Sequence, residues 1–103
     1  MIQGTTPTLT VHLTEPAPDL TAQKRVSLTL AQGDRTLTVK SPDPRLEVAE
    51  RSVRLTLTQE ETLRFAPGAV QLQLRWLEYS GGAGASRIGV VMNRGLLRKE
   101  VLR

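Results

Sequence analysis

Apolar positions alternate with polar ones over most of the chain. In the first such segment Leu9, Val11 and Leu13 alternate with Thr and His side chains, which is typical of a strand with one buried face. Six further segments repeat the pattern, so the chain is predicted to form seven short strands. Their apolar positions are, in chain order, Val26, Leu28 and Leu30; Leu37 and Val39; Leu46 and Val48; Val53, Leu55 and Leu57; Val70, Leu72, Leu74 and Trp76; and Ile88, Val90 and Met92.

Turn-forming residues separate these segments. Gln32–Arg35, Ala49–Ser52 and Ser80–Gly84 are predicted to be hairpin turns, and prolines interrupt the chain near residues 15–19 and 41–44. Short strands with a turn every 8–12 residues or so favour an all-β fold, a seven-stranded immunoglobulin-like β-sandwich. Trp76 is the expected central anchor of the core. The other core residues are expected to be Leu9, Val11, Val26, Leu28, Leu30, Leu37, Leu55, Leu57, Leu72, Leu74, Ile88 and Val90.

Two segments depart from the alternation. Thr58 stands three residues before Glu61, the spacing of a helix capping box, which predicts one short helical turn at about 58–64. Near the end, Leu97 and Val101 lie four residues apart and predict a short C-terminal helical tail. We therefore divide the chain into a β-sandwich domain, 1–93, and a basic amphipathic tail, 94–103.

The amino-acid composition argues against several classes of function. The chain has 103 residues, enough for one domain, with no Cys and only 3% aromatic residues. It therefore has no disulfide and no thiol nucleophile, and little material for base stacking. No apolar run reaches the roughly 20 residues of a membrane span, and the first residues do not resemble a signal peptide. A membrane partner and secretion by a signal peptide are not expected.

The formal net charge of +4 is concentrated at one end. Residues 1–85 contain equal numbers of acidic and basic side chains, so the surplus lies in residues 86–103. Such a basic end is either a solvated tail or a segment that is attracted electrostatically to phosphate groups or to an acidic protein surface. Because the last 18 residues contain no aromatic side chain, nucleic acid is not the expected partner.

No residue pattern specifies a reaction. His12 lies on the polar side of the first strand without a predicted acid beside it, and Glu61 is explained by capping rather than by pairing with Glu60. The glycine-rich segment 81–86 lacks the Lys-Ser/Thr of a phosphate-binding loop and lies between two strands. The chain is expected to be non-enzymatic, with no catalytic residue, cofactor, metal or small-molecule substrate.

Four segments together resemble one group of proteins. They are Gly4-Thr5-Thr6-Pro7-Thr8-Leu9, Leu57-Thr58-Gln59-Glu60-Glu61-Thr62-Leu63-Arg64-Phe65, Val70-Gln71-Leu72-Gln73-Leu74-Arg75 and Ala85-Ser86-Arg87-Ile88. In this order they resemble small proteins encoded among the structural genes of tailed bacteriophages and prophages. Those proteins typically have Asn at the position of Arg87 and a less basic end. The resemblance implies a virion or assembly role, located in the virion or in the host bacterial cytoplasm before assembly, and implies no catalytic residue.

The resemblance and the charge distribution together lead to a hypothesis about the tail. We expect a phage structural or assembly protein that contacts other virion subunits, or a second copy of itself, through Arg94, Leu96, Leu97, Arg98, Lys99, Val101 and Leu102. The alternative for the tail is that it folds back over its own sandwich. The alternatives for the function are a module that binds glycan or protein on the host surface, and a regulatory protein associated with nucleic acid.

Overall fold

The fold was analysed in a computed structural model, which describes residues 1–14, 16–96, 98 and 100–103. Strands account for most of the regular structure. In chain order the elements are β1 (Thr8–His12), a 3-10 turn (Leu20–Ala22), β2 (Arg25–Gln32), β3 (Arg35–Lys40), β4 (Leu46–Val48), β5 (Ser52–Thr56), α1 (Gln59–Arg64), β6 (Gly68–Leu77), β7 (Ala83–Ala85) and β8 (Gly89–Asn93).

The strands form two antiparallel sheets. The smaller sheet has the order β1-β5-β4, and the larger has β3-β2-β6 with β7 and β8 both paired to the free side of β6. β7 pairs with the second half of β6 and β8 with the first half, so these two strands lie end to end at one edge. The all-β prediction is confirmed at the level of two antiparallel sheets.

The strand order differs from that of an immunoglobulin domain. In immunoglobulin domains the second and third strands lie in different sheets, whereas here β2 pairs with both β3 and β6. The cause is the turn between β2 and β3, which has only two residues and begins with Gly33 at a positive φ of 60°. A connection this short keeps the two strands adjacent in one sheet.

One cluster of buried apolar side chains includes residues from both sheets. Leu46, Val53 and Leu55 come from the smaller sheet, and Leu28 and Leu74 are among those from the larger. Of the predicted core, Val26, Leu28, Leu30, Leu55, Leu57 and Leu74 are fully buried, and Leu9, Val11, Leu37, Leu72 and Trp76 are partly buried against them. The two sheets therefore share a core, as a sandwich requires.

The largest fully buried side chain is Phe65, not Trp76. Trp76 is half-buried at the margin of the core, with its indole directly over Gly84, where a Cβ would overlap it. The prediction that Trp76 is the central anchor is therefore wrong. Phe65 reaches the core because α1 ends beside it, just before the chain enters β6.

The prediction that Ile88 and Val90 belong to the core is also wrong. Ile88 and Val90 are 59% and 61% exposed. Ser86 bonds to Leu74 and Gly89 pairs with Leu72, so two residues of the edge strand, Arg87 and Ile88, lie opposite the single residue Gln73 of β6. This is a β-bulge. The extra residue reverses the alternation along β8, because side chains in a strand alternate with period two.

The short helix has the predicted cap, whereas the tail has no helix among its described residues. The Thr58 hydroxyl accepts from the Glu61 N–H at 3.2 Å, and the Thr58 N–H donates to the Glu61 carboxylate at 2.8 Å. The capping box is thus confirmed. Arg98 and residues 100–103 are not helical, and Leu97 and Lys99 lie outside the described residues. Only three residues lie between Leu97 and Val101, and a segment this short is too short for a stable isolated helix.

Candidate docking surface

The predicted partner-binding segment begins as an extension of the larger sheet. Arg94 forms a parallel bridge with Ile2, and its N–H and C=O bond to Met1 and Gln3, each at 2.9 Å. The N-terminal amino group also donates to the carbonyl of Met92. The first three residues therefore cover one end of the β8 edge, and the Arg94 side chain is exposed beside them.

The rest of the described tail lies against its own domain. The Leu96 side chain packs close to Gly4, and the backbone of Leu102 is bonded twice by the Gln59 side chain of α1. In that pair, Leu102 N–H donates to Gln59 Oε1 at 2.7 Å, and Gln59 Nε2 donates to the Leu102 carbonyl at 3.1 Å. Because one Gln amide satisfies both the N–H and the C=O of Leu102, it holds the end of the chain as a neighbouring strand would.

The predicted site residues therefore divide into two groups. Leu96 and Val101 are half-buried, whereas Arg98 and Leu102 have exposed side chains. Arg98 forms an exposed ion pair with Glu100 at 3.3 Å, which contributes little to stability in water. Leu97 and Lys99 lie outside the described residues. The described part of the tail thus offers Arg94, Arg98, Leu102 and Arg103 to a partner, while Leu96 and Val101 are partly covered by the domain.

A second surface, adjoining the tail, was not predicted from the sequence. Ile88, Val90 and Met92 are 58–61% exposed on β8 and form an apolar stripe along the sheet edge, which we call the edge stripe. Val90 lies opposite the exposed Gln71, and Met92 opposite the exposed Ala69, so the stripe belongs to the outer face of the larger sheet. Sequence alternation missed it because the bulge at Arg87 and Ile88 turns the more apolar phase of this strand outward.

The edge stripe also offers backbone hydrogen-bonding groups. Along an edge strand, the backbone groups of alternate residues point away from the sheet. Met92 directs its C=O outward to the N-terminal segment, and Arg94 directs both its N–H and its C=O there. Val90 is in the same phase, so its N–H and C=O also face outward, at a point beyond the residues that the N-terminal segment 1–3 covers. A strand edge with exposed apolar side chains is a template for pairing with another chain.

The α1 cap also includes an ion pair from a distant part of the chain. Arg45 donates to the Glu61 carboxylate at 2.6 Å. Burial raises the pKa of Glu61, but the hydrogen bond from Thr58 and the Arg45 guanidinium lower it by more, so the pKa lies below the ordinary value of 4.5. The hydrogen bond to Glu61 raises the pKa of Arg45. These contacts link the chain before β4 to the helix, a structural role.

The other candidates from the sequence do not converge. His12 is exposed at the end of β1 and lies opposite Ser52. Glu60 is exposed on the first turn of α1, apart from the buried Glu61. The glycine-rich segment forms the turn between β6 and β7, closed by the bonds Gly81 N–H to Glu78 O and Glu78 N–H to Gly82 O. Within the described residues, no three His, Asp or Glu side chains are grouped closely enough to hold a metal ion.

No helix within the described part of the chain is long and apolar enough to cross a membrane. Comparison of the chain with protein-family models, curated proteins and solved structures found no match.

Proposed function

We propose that this chain is a non-enzymatic phage or prophage protein that acts in the virion, or in its assembly, through contacts with other particle subunits. The observation that carries the proposal is the edge stripe, whose three side chains are more than half exposed beside outward-facing backbone groups. The resemblance of four ordered segments to small proteins of phage structural gene clusters points in the same direction.

Strand addition is the mode of contact that fits this surface. An extended segment of another subunit would bond to the outward backbone groups at Val90, and its side chains would cover Ile88 and Met92. Main-chain hydrogen bonds supply affinity in such contacts, and the alternate side chains supply specificity. Arg94 directly follows β8, and Arg103 is the last residue of the tail. Both side chains are exposed, and they would attract acidic groups of the partner.

The alternative of a host-surface binding module has less support. Glycan sites commonly use exposed aromatic rings, and Tyr79 is the single strongly exposed aromatic side chain among the described residues, at 78%. It lies in the β6–β7 turn, at the opposite end of the edge from the tail. Binding of host cells that is lost in a Tyr79→Ala variant would favour this alternative.

Particle incorporation is the direct test of the proposed function. Phage particles are induced from the host that carries the gene, banded in a density gradient and examined by mass spectrometry. We expect the chain to band with the particles at a fixed ratio to the major structural proteins, or with assembly intermediates. Its absence from both particles and intermediates would overturn the proposal.

A further inference from the structure

A basic cavity lies on the outer face of the larger sheet, away from the tail. Its volume is about 190 Å³. Three cations line it together with the hydroxyl-bearing Ser27: they are Arg25 from β2, Lys40 from β3 and Arg75 from β6. We call this group the basic cavity. Lys40, Ser27 and Arg75 are direct cross-strand neighbours, and Arg25 lies two residues along β2 from Ser27 on the same face.

The fold brings these cations together although they are far apart in the sequence. β2, β3 and β6 are adjacent in the sheet, and the period of two turns residues 25, 27, 40 and 75 to the outer face. Equal numbers of acidic and basic side chains in residues 1–85 therefore do not imply a neutral surface. The strands of the larger sheet contain no Asp or Glu at all, which leaves this face positively charged.

The acidic residues nearest in the chain are engaged elsewhere. Glu78 follows β6, and its carboxylate accepts from the Ser80 hydroxyl within the β6–β7 turn. Asp43 follows β3, and its carboxylate accepts from the Arg45 N–H and lies 3.7 Å from Arg45 Nε. In the described part of the chain, no ion pair engages Arg25, Lys40 or Arg75. Like charges held near one another without a counter-charge are destabilising unless an anion binds between them.

We propose that the basic cavity binds a phosphate group. Arg offers planar paired donors that match the oxygens of phosphate, and Lys adds a compact point charge. Ser27, between Lys40 and Arg75 in the sheet, adds a neutral donor. Phosphate binding in the basic cavity does not depend on the proposed virion role, because no residue of the tail or the edge stripe lines that cavity.

A neighbouring cavity offers space for the group that carries the phosphate. It has a volume of about 260 Å³, and Arg75 lines both cavities. Thr29 and Gln71 supply polar atoms to it, Ile88 of the edge stripe borders it, and no acidic side chain lines it. A phosphate on a polar carrier, such as a sugar, would place its charge at Arg25, Lys40 and Arg75 and its hydroxyl groups at Thr29 and Gln71. A free phosphate compound and a nucleic-acid backbone share this chemistry.

Titrations of the full chain followed by NMR test the proposal. The two probes are pyrophosphate and an oligonucleotide of eight thymidines, each added at low salt. We expect the amide signals of Ser27, Lys40 and Arg75 to shift together with at least one probe. A response to pyrophosphate assigns the site to small phosphate compounds, and a response to the oligonucleotide alone assigns it to a nucleic-acid backbone.

Two double variants of equal charge separate the cavity from the basic tail. Arg25→Gln with Arg75→Gln removes two cavity cations, and Arg94→Gln with Arg103→Gln removes two tail cations, so both lower the formal net charge of +4 by two. The cavity variant should weaken binding roughly tenfold or more, as expected for lost charged hydrogen bonds, and the tail variant should change it far less. Equal weakening by both variants, or no shift at the cavity with either probe, would overturn the proposal.

Discussion

Single residues show how far local sequence determines this structure. The three-residue spacing of Thr58 and Glu61 correctly predicted a capped helical turn, because both bonds of a capping box lie within that segment. The third partner, Arg45, could not be predicted, since the chain must fold before it meets Glu61. In the same way, sequence phase placed Trp76 toward the core but could not show that Phe65 fills its centre.

The ion pair makes the stability of the domain depend on pH. Because the pKa of Glu61 is below 4.5 in the folded chain, its contribution is complete above that value and is lost as the pH falls through the folded-state pKa. Glu61→Gln keeps the shape of the cap but removes the charge, so it should lower the free energy of unfolding by about 1 kcal/mol at pH 7. Urea denaturation at pH 7 and pH 3 should show this difference shrinking in acid.

Glu60→Gln is the matched control for that measurement. Glu60 is an exposed neighbour on the same helical turn. Loss of its charge should therefore change the free energy of unfolding by about 0.5 kcal/mol at most at either pH. A loss in the Glu61 variant that is the same at both pH values would contradict the assigned role of its charge.

Phe65 and Trp76 differ in how deeply they are buried. Phe65→Ala should cost about 3–5 kcal/mol, as for a fully buried aromatic side chain. Trp76→Ala should cost less than about 3 kcal/mol, because the indole is only half-buried at the core margin. Thermal denaturation of the two variants shows which substitution lowers the stability more. A Trp76 variant less stable than the Phe65 variant would place the indole at the centre of the core after all.

At the scale of elements, the sequence predicted the strands better than their phase. Each predicted strand segment contains a strand of the structure, because alternation and turn residues are local properties. The bulge at Arg87 and Ile88 has no such local cause, since it depends on how the edge strand meets β6. That single extra residue determines that the edge stripe is exposed. It therefore also determines the proposed docking surface.

Two neighbouring substitutions test the phase of β8. Val90→Lys should change stability by less than about 0.5 kcal/mol, since Val90 is exposed at an edge. Val91→Lys should cost about 2 kcal/mol or more, because Val91 packs against the core and would carry a charge into it. Chemical denaturation gives both values. The reverse order would show that the alternation runs unbroken through residues 86–88.

The attachment of the tail to α1 gives another prediction at this scale. Gln59→Ala removes both bonds to Leu102, so the amide of Leu102 should exchange faster with solvent while the melting temperature changes little. Gln71→Ala, at an exposed position of the sheet, is the control and should leave Leu102 unchanged. Unaltered exchange at Leu102 in the Gln59 variant would mean that other contacts hold the tail.

At the scale of the whole molecule, sheet topology rearranges charge that looks balanced along the chain. The acid-free strands β2, β3 and β6 come together, which creates the basic cavity, while most of the charge surplus of residues 86–103 lies in the tail. Sequence analysis could identify the basic tail, because its charges are close together in the sequence. It could not identify the basic cavity, because that cavity depends on which strands are neighbours in the sheet. Function likewise belongs to such surfaces rather than to the sandwich itself.

The edge stripe is the central element of the proposed virion role, and competition for incorporation into particles tests it most directly. Wild-type chain and Val90→Lys are co-expressed in equal amounts during particle assembly, and their ratio in purified particles is measured by mass spectrometry. Thr10→Lys, on the exposed side of β1, is the control and should enter particles as wild type does. We expect Val90→Lys to be depleted at least tenfold in the particles, since burying an unpaired charge at the contact costs roughly several kcal/mol. Equal incorporation of Val90→Lys and wild type would contradict the account.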